Sequence, residues 1–221
     1  MALITSKMMR PFCSLLLIVL AMPTATLAQK SENAASLSCW GVNGSFHSRA
    51  VKTPIFRSDA GLAYAEVSAK AITDRDVRNC SNSARLFYSA TGNDPKLVWR
   101  AHQDLNGLGI TIFGWSPSGK LLLFQTRTWP YDSDADEVRR GIVFDSATGK
   151  VRDLKLASVF SALFGSKCEF AQTVLGWESD QSIKVRISRT PLTDHYEQVF
   201  CVKVPVDYTF DLSTSTAARV Q

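Results

Sequence analysis

Gly114-Trp115-Ser116-Pro117-Ser118-Gly119-Lys120-Leu121-Leu122-Leu123-Phe124 is the stretch whose reading decides the fold. Pro117 presets φ and Gly119 can take the left-handed position without steric cost, so residues 116–119 read as a tight turn. Ile110-Thr111-Ile112-Phe113 precedes the turn and Leu121-Leu122-Leu123-Phe124 follows it. Both flanks are apolar runs rather than alternating ones, which predicts a β-hairpin buried on its two faces.

Working outward, the same pattern returns in weaker form. Phe56 stands 59 residues before Trp115, and Trp177 stands 62 after it. Each is followed by a small polar turn and then by an apolar strand, starting near Leu62 in the first case and Ile183 in the second. A second echo lies in Ser89-Ala90-Thr91-Gly92 and Ser146-Ala147-Thr148-Gly149, the same four residues at matching places. A period of about 60 residues, with two hairpins per unit, marks a repeat architecture. The expected units are about 50–105, 106–157 and 166–212 within a single domain of residues 50–212. Residues 29–49 are expected to form an arm with a short strand near residues 37–42, and residues 213–221 a flexible tail.

Trp115-Ser116-Pro117-Ser118-Gly119-Lys120-Leu121-Leu122-Leu123-Phe124 resembles the W-S-P-D-G-K-x-L-x-F signature of TolB-like, WD40-like β-propeller blades, with Ser118 in place of the usual Asp. Ile142-Val143-Phe144-Asp145 with Thr148-Gly149-Lys150 is similar to the later hairpin of such a blade. The resemblance implies an all-β fold of blade-like antiparallel sheets and a role in interaction. Closed propellers have four to eight blades. Three units therefore imply a partial or degenerate propeller, and a β-sandwich or barrel is the alternative. Open sheet edges would invite a protein partner or self-association.

One amphipathic helix is expected, because Leu156, Val159, Phe160, Leu163 and Phe164 share one face and Gly165 follows as a stop. Two further strands are expected, one alternating over residues 183–188 and one over residues 199–204, with Pro205 ending its pairing or placing it at an edge.

Residues 1–28 read as a cleaved signal peptide, with basic Lys7 and Arg10, an apolar core over residues 12–22 and Thr26-Leu27-Ala28 at the cleavage site. The chain is therefore expected to be exported, periplasmic or extracellular, with no membrane span in its mature part. Losing Lys7 and Arg10 lowers the formal net charge from +5 to +3. With no basic run longer than Arg139-Arg140, no nucleic-acid footprint is expected. Four cysteines remain, Cys39, Cys80, Cys168 and Cys201. An even count in an exported chain, without C-x-x-C spacing, points to two disulfides. Of three possible pairings, Cys39 with Cys80 and Cys168 with Cys201 would each close a loop within one local unit.

Few residues carry a chemical signature. Asp132-Ser133-Asp134-Ala135-Asp136 opens like a calcium loop, but Glu137 stands where that loop needs Gly and Val143 where it needs Glu. His47, His102 and His195 are scattered, and Asp194 beside His195 does not make an oriented pair. Neither G-x-S-x-G nor a phosphate-binding Gly-rich turn occurs. No catalytic residue, metal or cofactor is expected. Of the five tryptophans, Trp129 with Tyr131 falls in a loop and is the candidate exposed binding patch. The function expected is a disulfide-stabilised binding or scaffold module, with a secreted hydrolase or lyase sited in the blade loops as the alternative.

Overall fold

The computed structural model describes residues 33–37, 49–71, 80–91, 93–104, 106–130, 137–165, 167–190 and 199–220, all within one compact unit. Residues 1–28, expected to be a signal peptide, Cys39, Trp40, His47, Tyr131, residues 132–136, Asp194 and His195 lie outside them. In chain order the strands are β1 (Ala34–Leu37), β2 (Arg49–Lys52), β3 (Phe56–Ser58), β4 (Gly61–Ala71), β5 (Cys80–Ser89) and β6 (Lys96–Asp104). Then come β7 (Asn106–Trp115), β8 (Leu121–Pro130), β9 (Val138–Asp145) and β10 (Val151–Asp153). Helix α1 (Leu156–Phe164) leads to β11 (Ala171–Trp177), β12 (Ser182–Ser188), β13 (Val206–Asp211) and β14 (Thr216–Arg219).

The fold is all-β apart from α1, and its strands form three antiparallel sheets. The first runs β2-β4-β5-β6, with β3 also on β4. Pro54 lies between β2 and β3, where its missing N–H breaks one edge strand into two. The second runs β1-β7-β8-β9-β10 and the third β11-β12-β13-β14. Among the described residues none of the sheets closes on itself.

The second sheet is the middle layer. Leu122, Phe124, Ile142 and Phe144 point from it into a core shared with Ala63, Ala65, Val67 and Leu86 of the first sheet. Leu123 and Val143, the alternate residues, point the other way into a core with α1, Val174, Ile183, Val185 and Phe210. The two apolar faces inferred from the sequence are therefore real, and period-2 alternation sends consecutive leucines to different cores. Aromatic rings tie the layers: Trp99 meets Phe124 edge-on at 5.2 Å, and Phe160 of α1 meets Tyr208 at 5.2 Å.

The turn between β7 and β8 is as composition requires, with Gly119 at φ 73° and its N–H donating to Ser116 O at 2.8 Å. Residues near this turn reach the neighbouring sheets. The Trp115 indole Nε1 donates to Phe56 O at 3.2 Å, and Trp177 Nε1 donates to Gly114 O at 2.9 Å. Ser58 Oγ donates to Gly119 O at 3.1 Å, and the Ser118 N–H donates to Asp180 Oδ1 at 2.7 Å. Register shifts fall at Ile112/Gly114 in β7 and at Val174/Gly176 in β11, in each case just before the tryptophan.

Two hairpins share a turn that the sequence shows only in part. After β9, Asp145 Oδ1 accepts from the N–H groups of Ala147 and Thr148. After β13, Asp211 Oδ1 accepts from those of Ser213 and Thr214 at 2.7 and 2.9 Å. Ser215, at φ 55°, holds the left-handed position that Gly149 fills at φ 68° in the other turn.

Three expectations are corrected. The stretch expected to be a loose arm before residue 37 holds β1, which pairs with β7 from Ala34↔Thr111 to Leu37↔Leu108. The expected flexible tail holds β14, which pairs with β13 from Thr216↔Asp211 to Arg219↔Tyr208. The strand expected over residues 199–204 does not form: Phe200 makes one isolated bridge to Glu169. Regular pairing starts only beyond Pro205, because Cys201 is tied sideways to Cys168. Helix α1 forms where its periodicity places it, but Leu163 stays 51% exposed while Leu156 and Phe160 are buried.

Packing and hydrogen bonding carry different weights here. Replacing Phe124 by Ala is expected to cost about 3–5 kcal/mol in urea unfolding. Trp115→Phe and Trp177→Phe, each removing one indole hydrogen bond, are expected to cost about 1 kcal/mol. The reverse ranking would show that the sheets are held by those bonds rather than by the cores.

The Ser213 hydroxyl, then the Thr214 and Ser213 amides, push the Asp211 carboxyl down to about 2. A depressed carboxylate stabilises the fold above its unfolded pKa of about 3.9 and loses that contribution as pH falls through the folded value. Acid unfolding between about pH 4 and pH 2 is therefore expected to flatten in Asp211→Asn. An NMR titration placing the Asp211 carboxyl at an ordinary value would contradict this.

Candidate functional site

The middle and third sheets diverge at one end, where Gly141 of β9 gives way to larger residues. A Cβ on Gly141 would lie 2.9 Å from Leu156 Cδ1 and 3.3 Å from Val174 Cγ2, so α1 and β11 press directly on β9 there. Before Gly141, β9 carries Arg139 and Val138, and the layers part around a cleft of about 390 Å³. Its walls are Glu137, Val138 and Arg139 on one side, Ala157 and Ser161 of α1 on another, and residues 168–172 with Thr190 opposite. Phe170 in this wall is steadied by Phe164 at 5.6 Å and by Phe160 at 6.2 Å.

The polar groups are held by one another. Arg127 and Arg139 stand directly opposite across β8 and β9, an arrangement that is unfavourable for like charges. Glu137 relieves it: one carboxylate oxygen accepts from Arg139 Nε, and the other lies 3.6 Å from Arg127 Nη1. Arg139 Nη1 donates to Thr173 Oγ1 of β11, and Gln172 Nε2 donates to Arg139 O at 3.1 Å. The second and third sheets are thus stitched at the cleft by side chains rather than by strand pairing.

Gln172 is 8% exposed, and its Oε1 is buried with no hydrogen-bond partner among the described residues. A buried acceptor left unsatisfied costs about 1–3 kcal/mol. Glu169 stands beside it. Its N–H donates to Val199 O at 2.8 Å and its carbonyl accepts from the Cys201 N–H at 3.0 Å. Its exposed carboxylate is approached by Thr190 Oγ1 at 3.5 Å. The Cys168–Cys201 disulfide, with Cα atoms 5.0 Å apart, fastens this wall.

The sequence-derived candidates fare unequally. Cys168 and Cys201 are joined as expected, whereas the pairing of Cys39 with Cys80 lies outside the described residues. Trp129 is not an open platform. Its ring occupies the space of a Cβ on Gly107, within 1.9 Å of the position that atom would take. The Arg127 guanidinium sits over the ring at 4.5 Å from its centroid. Half-buried between a glycine strand and a cation, it serves packing, and it reaches the cleft only through the chain Arg127, Glu137, Arg139. Tyr131 and the acidic residues 132–136 are outside the described residues. Exposed His102 lies across the first sheet, with Ser81 Oγ 3.3 Å from its Nε2. Among the described residues no three His, Cys, Asp or Glu side chains gather as a metal site, and no helix is long and apolar enough to cross a membrane.

Sequence reasoning missed Gln172, Glu169 and Thr190. One signal was available: in Ala171-Gln172-Thr173-Val174 the glutamine falls on the same face as core Val174, where an apolar residue is the rule.

Replacing Cys168 and Cys201 together by Ser is expected to lower stability by about 2–5 kcal/mol. Hydrogen exchange at the Glu169 and Cys201 amides should rise before that at β8 and β9, and uniform exchange across the chain would speak against a local clamp. No family model, curated protein or solved structure matches this chain.

Proposed function

We propose that this chain is an exported, disulfide-stabilised binding module built from blade-like sheets of the TolB-like, WD40-like propeller type, with the cleft beside the Cys168–Cys201 bridge as its ligand seat. The blade reading draws support from three antiparallel meanders of similar order. Further support comes from the tryptophan-to-carbonyl bonds spaced 59 and 63 residues apart and from the shared Asp-capped turns of Asp145 and Asp211. The three sheets form an open stack, so the propeller is partial in this reading.

The observation that carries the binding role is the cleft of about 390 Å³ with its largely apolar wall of Val138, Ala157 and Phe170, within the size range of small-molecule sites. On the middle sheet a ligand in the cleft is favoured over an added strand, because β1 already covers the edge of β7. The remaining edge of that sheet, β10, is only three residues long.

The test is a fragment screen against the isotope-labelled chain, read by amide chemical shifts. Fragments of several charges should include some that shift the Arg139, Glu169 and Gln172 amides, and Ala171→Trp should abolish those shifts. A screen in which no fragment of any charge moves these signals would overturn the reading.

A further inference from the structure

The first sheet gathers much of the chain's excess charge on its outer face. Ala63, Ala65, Val67 and Ala69 of β4, with Ala84 and Leu86 of β5, point into the core, so the alternate residues point outward. Register places Arg57 opposite Leu62 and Lys52 opposite Glu66. It also places Glu66 opposite Arg85, Lys70 opposite Ser81 and Arg85 opposite Arg100. Five cations on five strands thus share the face with two acids, Glu66 and, at the end of β6, Asp104, which leaves an excess of three. The formal net charge of the whole chain is +5. On the third sheet, by contrast, Lys184 and Arg186 stand among Asp207 and Asp211, and the charges balance.

Only part of this charge is held within the face. Glu66 pairs with Lys52 at 3.6 Å and with Arg85. Arg100 has Arg85 opposite it rather than an acid, which is unfavourable for like charges. In the middle sheet the equivalent clash of Arg127 and Arg139 is relieved by Glu137. Among the described residues no carboxylate pairs with Arg57, Lys70 or Arg100. Those three exposed cations are left for a partner, and charge complementarity makes that partner anionic.

Their spread selects the kind of anion. Lys70 lies eight residues beyond Leu62 on β4, about 27 Å along the strand. Lys52 on β2 and Arg100 on β6 are separated by three strand spacings, about 14 Å. One small anion reaches a single corner of such a field. A nucleobase or a sugar ring needs an open aromatic face, but Tyr64 and Phe87 stack on each other at 5.0 Å, with Lys52 over one ring and Arg85 over the other. A two-dimensional field of cations is matched by a two-dimensional array of anions. Leu97, opposite Phe87 and 47% exposed, adds the apolar contact that enters the boundary between headgroups and acyl chains.

We infer that the outer face of the first sheet docks on an anionic lipid surface, with Arg57, Lys70 and Arg100 at the headgroups and Leu97 at the acyl boundary. The docking does not depend on the cleft, which lies on the other side of the middle sheet.

The experiment is flotation of the full chain with vesicles of phosphatidylcholine alone and with vesicles containing about one third phosphatidylserine. Residues 1–28 are common to every arm, so any uptake they cause appears with the neutral vesicles and is subtracted. Acidic vesicles should carry the chain at low salt and lose it progressively toward physiological salt. Each cation near such a surface contributes about fivefold. Arg57→Gln, Lys70→Gln and Arg100→Gln together should therefore weaken the binding about a hundredfold, with the Glu66 pairs untouched. Lys150→Gln, Lys167→Gln and Lys203→Gln, exposed cations off this sheet, should change it by less than about threefold. A nitroxide on the lipid headgroup should broaden the β5 and β6 amides before those of β12 and β13.

Equal losses in the two triple variants, equal broadening of the two sheets, or neutral vesicles that carry the chain as well as acidic ones overturn the docking face. Binding of polyglutamate or single-stranded RNA at a salt concentration where acidic vesicles stay bare assigns the face to a soluble polymer and overturns the lipid assignment.

Discussion

Burial of the middle sheet on both faces is the constraint that determines the other features of this molecule. Residues 122–126 of β8 and 141–144 of β9 are buried without interruption. The backbone polar groups of such strands cannot reach water, so each needs a partner within the sheet. β1 supplies partners on one side of β7, and short β10 supplies them at the far side of β9. The apolar residues then demand a layer on each face. The first sheet covers Phe124 and Phe144, and α1 with the third sheet covers Leu123 and Val143. Where β9 exchanges Val143 and Gly141 for Arg139, with Glu137 just ahead of the strand, no apolar layer can close over it, and the cleft is the result.

Much of this was legible because the decisive signals are local. The turn at residues 116–119 and the unbroken apolar runs around it specify a hairpin covered on both sides, and the spacing in residues 156–164 specifies α1. What was not legible depends on partners distant in sequence. Ala34-Ala35-Ser36-Leu37 and Thr216-Ala217-Ala218-Arg219 are small and polar enough to read as coil. They become strands because β7 and β13 offer unpaired edges of matching register. Conversely, Val199-Phe200-Cys201-Val202 has the composition of a strand but is diverted by the disulfide and by Pro205, with Val202 buried as a plug instead. Pairing opportunity overrides strand propensity in both directions.

The cleft was hidden for a related reason. Its residues come from β9, α1, the segment before β11 and Thr190, and no recognisable spacing links those segments. Trp129 drew attention as an aromatic in a loop, yet it belongs to β8 and lies against Gly107. Gln172 offered the better signal, a polar residue at an inward position, where its amide nitrogen bridges to Arg139 O of the neighbouring sheet.

An open stack of three sheets also has to end. In the blade-like reading each sheet would normally find a neighbour on both faces, and among the described residues the first and third have one each. The outer face of the third sheet is charged and polar, with Arg186 Nε donating to Asp207 at 2.7 Å and Thr209 donating to Glu178 at 2.6 Å. The first sheet ends differently. Its outer face keeps a stacked aromatic pair, Tyr64 and Phe87, at 5.0 Å, with Lys52 over one ring and Arg85 over the other. Glu66 lies between those two cations and pairs with both. Exposed pairs of this kind add little stability, but they set a solvated layer over rings that would otherwise invite another sheet. A polar outer face of this kind is what ends a stack of layers in repeat proteins.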